Sequence, residues 1–153
     1  MRRIVLMVVL AFAVIGCDAG EPALTLSDVK ISSPIAGSAQ IALRVANSGT
    51  GSDELVDVSS PHAAFVEVHE TVITDGRAVM MKRDGVTFAS GRTVVFRPGS
   101  LHLMMLVPDT TVVTGATIPV TFTFKTHPPI TVDATVVELL DLVTFGDTLE
   151  ANS

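Results

Sequence analysis

Residues 64–82, AFVEVHETVITDGRAVMMK, carry the reading that decides the fold. Apolar and polar side chains alternate on both sides of Asp75-Gly76, and this dipeptide between alternating runs is the strongest short-range signal for a β-hairpin. If the loop has two residues, Thr74 faces Arg77, Val72 faces Val79 and Thr71 faces Met80. His69, two residues from Thr71, then shares a face with Met80 as its diagonal neighbour, while Met81 stands opposite Glu70 on the other face. A three-residue loop would exchange Met80 and Met81. Outward from this hairpin lie further short β-branched runs, among them AQIALRVAN, TVVFR, LHLMML, IPVTFTFK and ITVDATVV. Turn residues separate them: Asn47-Ser48-Gly49, Ser60-Pro61, Asp84-Gly85, Pro98-Gly99 and Pro128-Pro129. Many short strands at this spacing predict an all-β sandwich or barrel. No long amphipathic helix is evident, and residues 141–153 are expected to form a flexible C-terminal tail.

The chain has 153 residues, 48% of them hydrophobic, with mean hydropathy +0.54, enough for a single domain with its own core. Part of that hydrophobicity belongs to a targeting segment. Met1-Arg2-Arg3 followed by the apolar run Ile4 to Gly16 has the form of a secretory signal peptide over residues 1–16, too short to span a bilayer comfortably. Its end, Val14-Ile15-Gly16-Cys17, resembles the bacterial lipobox, in which the cysteine is lipidated and becomes the mature N-terminus; several acyl chains there would anchor the protein stably. Residues 17–23 are then a tether and residues 24–140 the folded domain. Removal of Arg2 and Arg3 from 10 basic residues leaves 8 against 16 acidic, shifting the net charge from −6 to −8 and disfavouring nucleic acid as a partner. Cys17 is the single cysteine, so no internal disulfide can form.

Outside the signal segment the methionines fall as two adjacent pairs, Met80-Met81 and Met104-Met105. In SLHLMML, residues 100–106, alternation puts Leu101, Leu103 and Met105 on one face and His102, Met104 and Leu106 on the other. An isolated His-x-Met fits a half-buried strand whose methionine fills a gap. Joined to His69 and Met80, it makes two imidazoles and two thioethers, a soft set that favours Cu(I) over hard cations and suits zinc poorly. A blue-copper centre is disfavoured because it needs a ligating cysteine thiolate. With no GxSxG elbow, phosphate-cradling glycine loop or HExxH, the chain reads as a binding protein and not an enzyme.

The spacing His-x10-Met-x21-His-x-Met over His69, Met80, His102 and Met104 resembles that of the periplasmic copper chaperones called PCu(A)C. The similarity runs from about Ser27 to Val136 and includes SSPHAAFVEVHE, ASGRTVVFRPGSLHLMML, IPVTFTFK and ITVDATVV. It implies a cupredoxin-like Greek-key β-sandwich that binds Cu(I) near one end through those four residues. It also implies delivery to the copper centre of cytochrome c oxidase, often alongside a Sco-type thiol protein. A monomer is expected, and Asp18 after the lipidated cysteine fits retention at the inner membrane, facing the periplasm. Two features depart from the family. Glu70-Thr71 follows His69 where many relatives carry methionine, and the end TFGDTLEANS lacks the His- and Met-rich tail that would hold a second copper. Copper sequestration or resistance, and a metal-free binding module, are the competing functions. Glu67 and Glu70 are candidates to orient His69. Met81 and Met105 are expected in core packing, or as substitute ligands; His62, His127, Asp28, Asp53 and Glu54 are expected at turns and surface.

Overall fold

The alternating runs become ten strands: β1 (Leu24–Ser32), β2 (Ser38–Asn47), β3 (Asp53–Ser59), β4 (Ala63–Thr74), β5 (Arg77–Arg83), β6 (Val86–Phe88), β7 (Thr93–Phe96), β8 (Leu101–Pro108), β9 (Thr117–Phe124) and β10 (Ile130–Val137). Helix α1 (Leu139–Ala151) follows. This is a computed structural model in which residues 20–151 are described; the expected signal peptide over 1–16 and the lipidated Cys17 lie outside them. Among the described residues no helix is long and apolar enough to cross a membrane.

The strands form one sheet in the order β5-β4-β8-β2-β1-β10-β9-β3-β6, with β7 also on β2. Among the described strands only β1 and β10 run parallel. A bridge between Val58 of β3 and Val66 of β4 brings the two arms together, so the sheet closes on itself as an all-β sandwich or barrel. Closure follows from the period-2 pattern. Ile41, Leu43 and Val45 of β2 and Ile118, Val120 and Phe122 of β9 point inward and are buried, and filling that space is what drives the strands together. The rings of Phe88 and Phe124, 6.0 Å apart and edge-on, pack the same interior.

β4 has two partners on one edge. It meets β3 at Val66 and pairs with β5 from Val68 to Thr74, while its other edge pairs with β8. The β4–β5 hairpin therefore continues past the barrel. Its turn has two residues, with φ of 50° at Asp75 and 73° at Gly76, the left-handed pair of a type I′ turn. Thr71↔Met80 and Glu70↔Met81 are the resulting pairs. Among the described residues no element covers β5, and every residue in it is exposed. The expectation that Met81 packs in the core is thus corrected: it is 54% exposed on the outermost strand, whereas Met105 is fully buried.

The C-terminal segment is also corrected, from flexible tail to helix. Leu142, Phe145, Gly146 and Leu149 recur at i, i+3, i+4 and i+7, and Leu142, Gly146 and Leu149 are buried. The glycine within the stripe lowers its apparent hydrophobic periodicity, which hides the helix from a pattern search. Arg44 donates from Nη2 to the Leu149 carbonyl at 2.6 Å, and the Lys30 ammonium lies 3.9 Å from the centre of the Phe145 ring. Asp53, expected at the surface, is 4% exposed and accepts from the amides of Glu54, Thr126 and His127 at 2.8, 3.0 and 2.7 Å. Burial alone would raise its carboxyl; these three donors hold it below the usual carboxylate range.

Candidate metal centre

The register between β4 and β8 assembles the site. His69 pairs with His102 and Glu67 with Met104, and the period of two puts all four on one face, opposite the barrel interior. On the far edge of β4, Lys82 pairs with His69 and Met80 with Thr71, so Met80 joins the same face one row away. The four sequence-predicted donors therefore share one face of three adjacent strands. Their exposures differ sharply. His102 is 1% and Met104 8% exposed, the His69 side chain 18%, and Met80 55%.

Each imidazole is fixed by one nitrogen and unpartnered at the other. His102 Nδ1 lies 2.9 Å from the Ser100 carbonyl, which can only accept, so Nδ1 carries the proton and Nε2 presents a lone pair. His69 Nε2 lies 3.0 Å from a Glu67 carboxylate oxygen, so in the neutral ring Nε2 carries the proton and Nδ1 the lone pair. Both remaining nitrogens, His69 Nδ1 and His102 Nε2, are buried without a hydrogen-bond partner among the described residues. Buried polar atoms are nearly always satisfied, so two unpartnered lone pairs on neighbouring imidazoles mark a place where a metal ion or a hydrogen-bond donor could bind. The ring centroids are 6.0 Å apart, a spacing compatible with one ion ligated by both, each bond being about 2 Å. Gln40, which pairs with Met104 from the β2 side, adds a third buried and unpartnered atom on this face, its Oε1.

Glu67 is held in turn by Lys82, whose Nζ donates to it at 2.6 Å. The Lys82 ammonium and then the His69 ring hold its carboxyl below the ordinary range. Burial is the main reason the His102 imidazole sits below its usual range, partly offset by the Ser100 carbonyl. Glu70, the other carboxylate beside His69, turns to the opposite face and accepts from Arg83 at 2.9 Å, so it does not orient the ring. His62 and His127 lie elsewhere: His62 Nδ1 meets Asp109 at 3.1 Å, and His127 packs on Phe124.

Sequence reasoning did not find Lys82 or the Ser100 carbonyl. Lys82 was within reach, since the hairpin register places it across from His69. Ser100 acts through its backbone, which no residue pattern records. Among the described residues no group of three or more His, Cys, Asp or Glu is placed to hold a metal ion, so the candidate donors here are two imidazoles with thioethers.

The profile of the LpqE-like family, described as "Putative lipoprotein LpqE-like", matches residues 24–136. Among curated proteins, an uncharacterised protein, RP573, of Rickettsia prowazekii is 34% identical over 79 residues, 51% of this chain and 44% of its own. "Putative lipoprotein Lxx21020" of Leifsonia xyli is 30% identical over 82 residues, 53% of this chain and 49% of its own. The matched stretch thus spans about half the length of these relatives. Among solved structures, the copper-bound PCuAC domain from PmoF2 superposes with TM-score 0.64 at 21% identity, covering 75% of this chain and 92% of that domain. The Cu(I) form of DR1885 from Deinococcus radiodurans gives TM-score 0.64 at 20% identity, covering 82% and 85%.

Proposed function

This chain belongs to the LpqE-like family, whose fold is that of PCuAC domains, and from that premise we propose that it is a copper chaperone carrying one Cu(I) on His69, Met80, His102 and Met104. The observation that carries the reading is the pair of buried, unpartnered lone pairs on His69 Nδ1 and His102 Nε2. Imidazole and thioether donors are neutral and soft, which favours monovalent copper over harder ions. Such a donor set leaves the ion's charge uncompensated, apart from Glu67 beside His69. That suits a cargo site more than a permanent one.

The graded exposure gives a route for transfer. His102 and Met104 are enclosed, whereas Met80 sits half exposed on the outermost strand. An incoming thiolate or imidazole of an acceptor can replace Met80 first, while the buried pair retains the ion until the acceptor's own donors take over. The recipient in this reading is the copper centre of cytochrome c oxidase, directly or through a Sco-type thiol protein. A lipid on Cys17 would keep the monomeric domain beside the inner membrane, facing the periplasm.

The test is a Cu(I) competition titration against a coloured chelator, under reducing anaerobic conditions, with residues 18–153 and a His102→Ala, Met104→Leu variant. One equivalent bound tightly by the wild type and lost by the folded variant is expected. Equal, weak binding by both would reject the site. Cytochrome oxidase activity at limiting copper in a deletion strain then separates delivery, which predicts its loss, from sequestration, which predicts its retention.

A further inference from the structure

We propose that α1 is a brace for the metal centre: it presses on the β7–β8 turn and thereby holds the backbone carbonyl that orients His102. The inference rests on the ligand reading above for its functional meaning, but its structural half stands on contacts alone.

Arg97 to Ser100 form a turn with Pro98 and Gly99 at its centre. The Ser100 amide donates to the Arg97 carbonyl at 3.2 Å, and Gly99 has φ of 80°, as a type II turn with Pro then Gly requires. The Arg97 amide donates to the Leu101 carbonyl at 2.6 Å, tying the turn to the first residue of β8. The Ser100 carbonyl accepts twice, from the Thr71 amide at 3.1 Å and from His102 Nδ1 at 2.9 Å. A shift of this turn therefore moves the single acceptor that sets the His102 tautomer and ring orientation.

The helix meets that turn at Gly146. A Cβ there would lie 2.8 Å from Arg97 Cβ and 3.2 Å from Pro98 Cδ. Both atoms belong to the roots of their side chains, so relief must come from backbone movement and not from a rotamer change. Asp147, the next residue, accepts from Arg97 Nη1 at 3.4 Å. On its other flank the helix is secured to the barrel by Arg44 and Lys30. Force from α1 thus reaches His102 through Arg97, Pro98 and Ser100. Gly146 is a positioning residue in this scheme, and it touches no ligand.

Gly146→Ala tests it. Alanine is the better helix former, so a defect in this variant has to arise from the contact with Arg97 and Pro98 and not from helix propensity. The readouts are the ring ¹⁵N shifts of His102 and His69 in the metal-free full chain, followed by the Cu(I) titration. The brace predicts that His102 loses its single-tautomer signature while His69 keeps its own, and that Cu(I) affinity falls by up to about tenfold, the lower end of what loss of a ligand's supporting contact costs. Unchanged His102 shifts with α1 intact would overturn it. Asp147→Lys, at an exposed position where folding is not at risk, sets like charges together at Arg97. It should move the His102 signal in the same sense but less, and no movement there counts equally against the brace. Shifts that change as expected, without any effect on copper, would uphold the brace and reject the ligand role of His102.

Discussion

His102→Leu should make the metal-free protein more stable while abolishing copper binding. The imidazole is buried at 1% exposure with Nε2 lacking a partner, and an unsatisfied buried polar atom costs about 1–3 kcal/mol. Leucine removes that atom and fills a similar volume. Against this stands the bond from Nδ1 to the Ser100 carbonyl, a contribution of about 1 kcal/mol. Ser100 is not orphaned by the change, because the Thr71 amide still donates to it. The balance is a gain of about 0–2 kcal/mol, or several degrees in Tm for a domain of this size, at roughly 4 °C per kcal/mol. With Cu(I) at a hundred times its Kd, the wild type should gain about 2.7 kcal/mol and the variant nothing, so their order reverses. Thermal unfolding of both proteins, with excess chelator and with copper, reads both numbers. The same pair separates by pH. Burial holds the His102 imidazole below its usual range, so the unfolded chain takes up a proton below about pH 6.5 that the folded chain resists. Wild-type stability should thus fall relative to the variant as pH drops from there, by at most about 1.4 kcal/mol per unit. A folded, metal-free His102→Leu protein less stable than wild type by more than about 1 kcal/mol would refute the claim that Nε2 is unsatisfied.

Glu67→Gln should weaken Cu(I) binding by about 10–100-fold, because the amide no longer fixes the His69 tautomer as the carboxylate does; competition titration measures it, and unchanged affinity would remove Glu67 from the site. Met105→Leu should leave copper binding intact and cost less than about 1.5 kcal/mol, since Met105 fills core volume, whereas Met104→Leu should lower affinity. Loss of copper from the Met105 variant, with its fold retained, would reverse those assignments. Asp53→Asn should cost about 1–3 kcal/mol at neutral pH by weakening three amide contacts to a buried carboxylate. Because the folded Asp53 carboxyl is held low, its contribution is complete above about pH 4 and disappears as pH falls through the folded value. The variant should accordingly converge with wild type in acid unfolding, and a constant gap down to pH 2 would contradict this.

Much of the site was legible because it is local. The Asp75-Gly76 dipeptide signals a hairpin and left only the loop length open; the structure has the two-residue loop, whose register puts His69 and Met80 on one face. The alternation in SLHLMML likewise places His102 with Met104. Helix α1 escaped because its stripe uses glycine where an apolar side chain is expected, and that glycine is required by the approach of Arg97 rather than by the helix itself. Met81 was misplaced because alternation states which side a residue faces without stating whether anything covers that side.

By itself, then, the sequence predicted most of the strands and a hairpin at Asp75-Gly76 and offered His69, Met80, His102 and Met104 as candidate soft donors, since each reading depends on neighbours a few residues away and on a period of two. Only the tertiary structure decided that β8 lies along β4, which brings His102 against His69 across more than 30 residues of chain, a contact between strands far apart in sequence. It also decided which donors are enclosed and which is exposed, because burial depends on the element that stands across from a strand. β4 and β8 lie within the closed sheet, whereas β5 has no neighbour on its outer edge among the described strands. That asymmetry, buried His102 and Met104 beside exposed Met80, underlies the proposed transfer of copper.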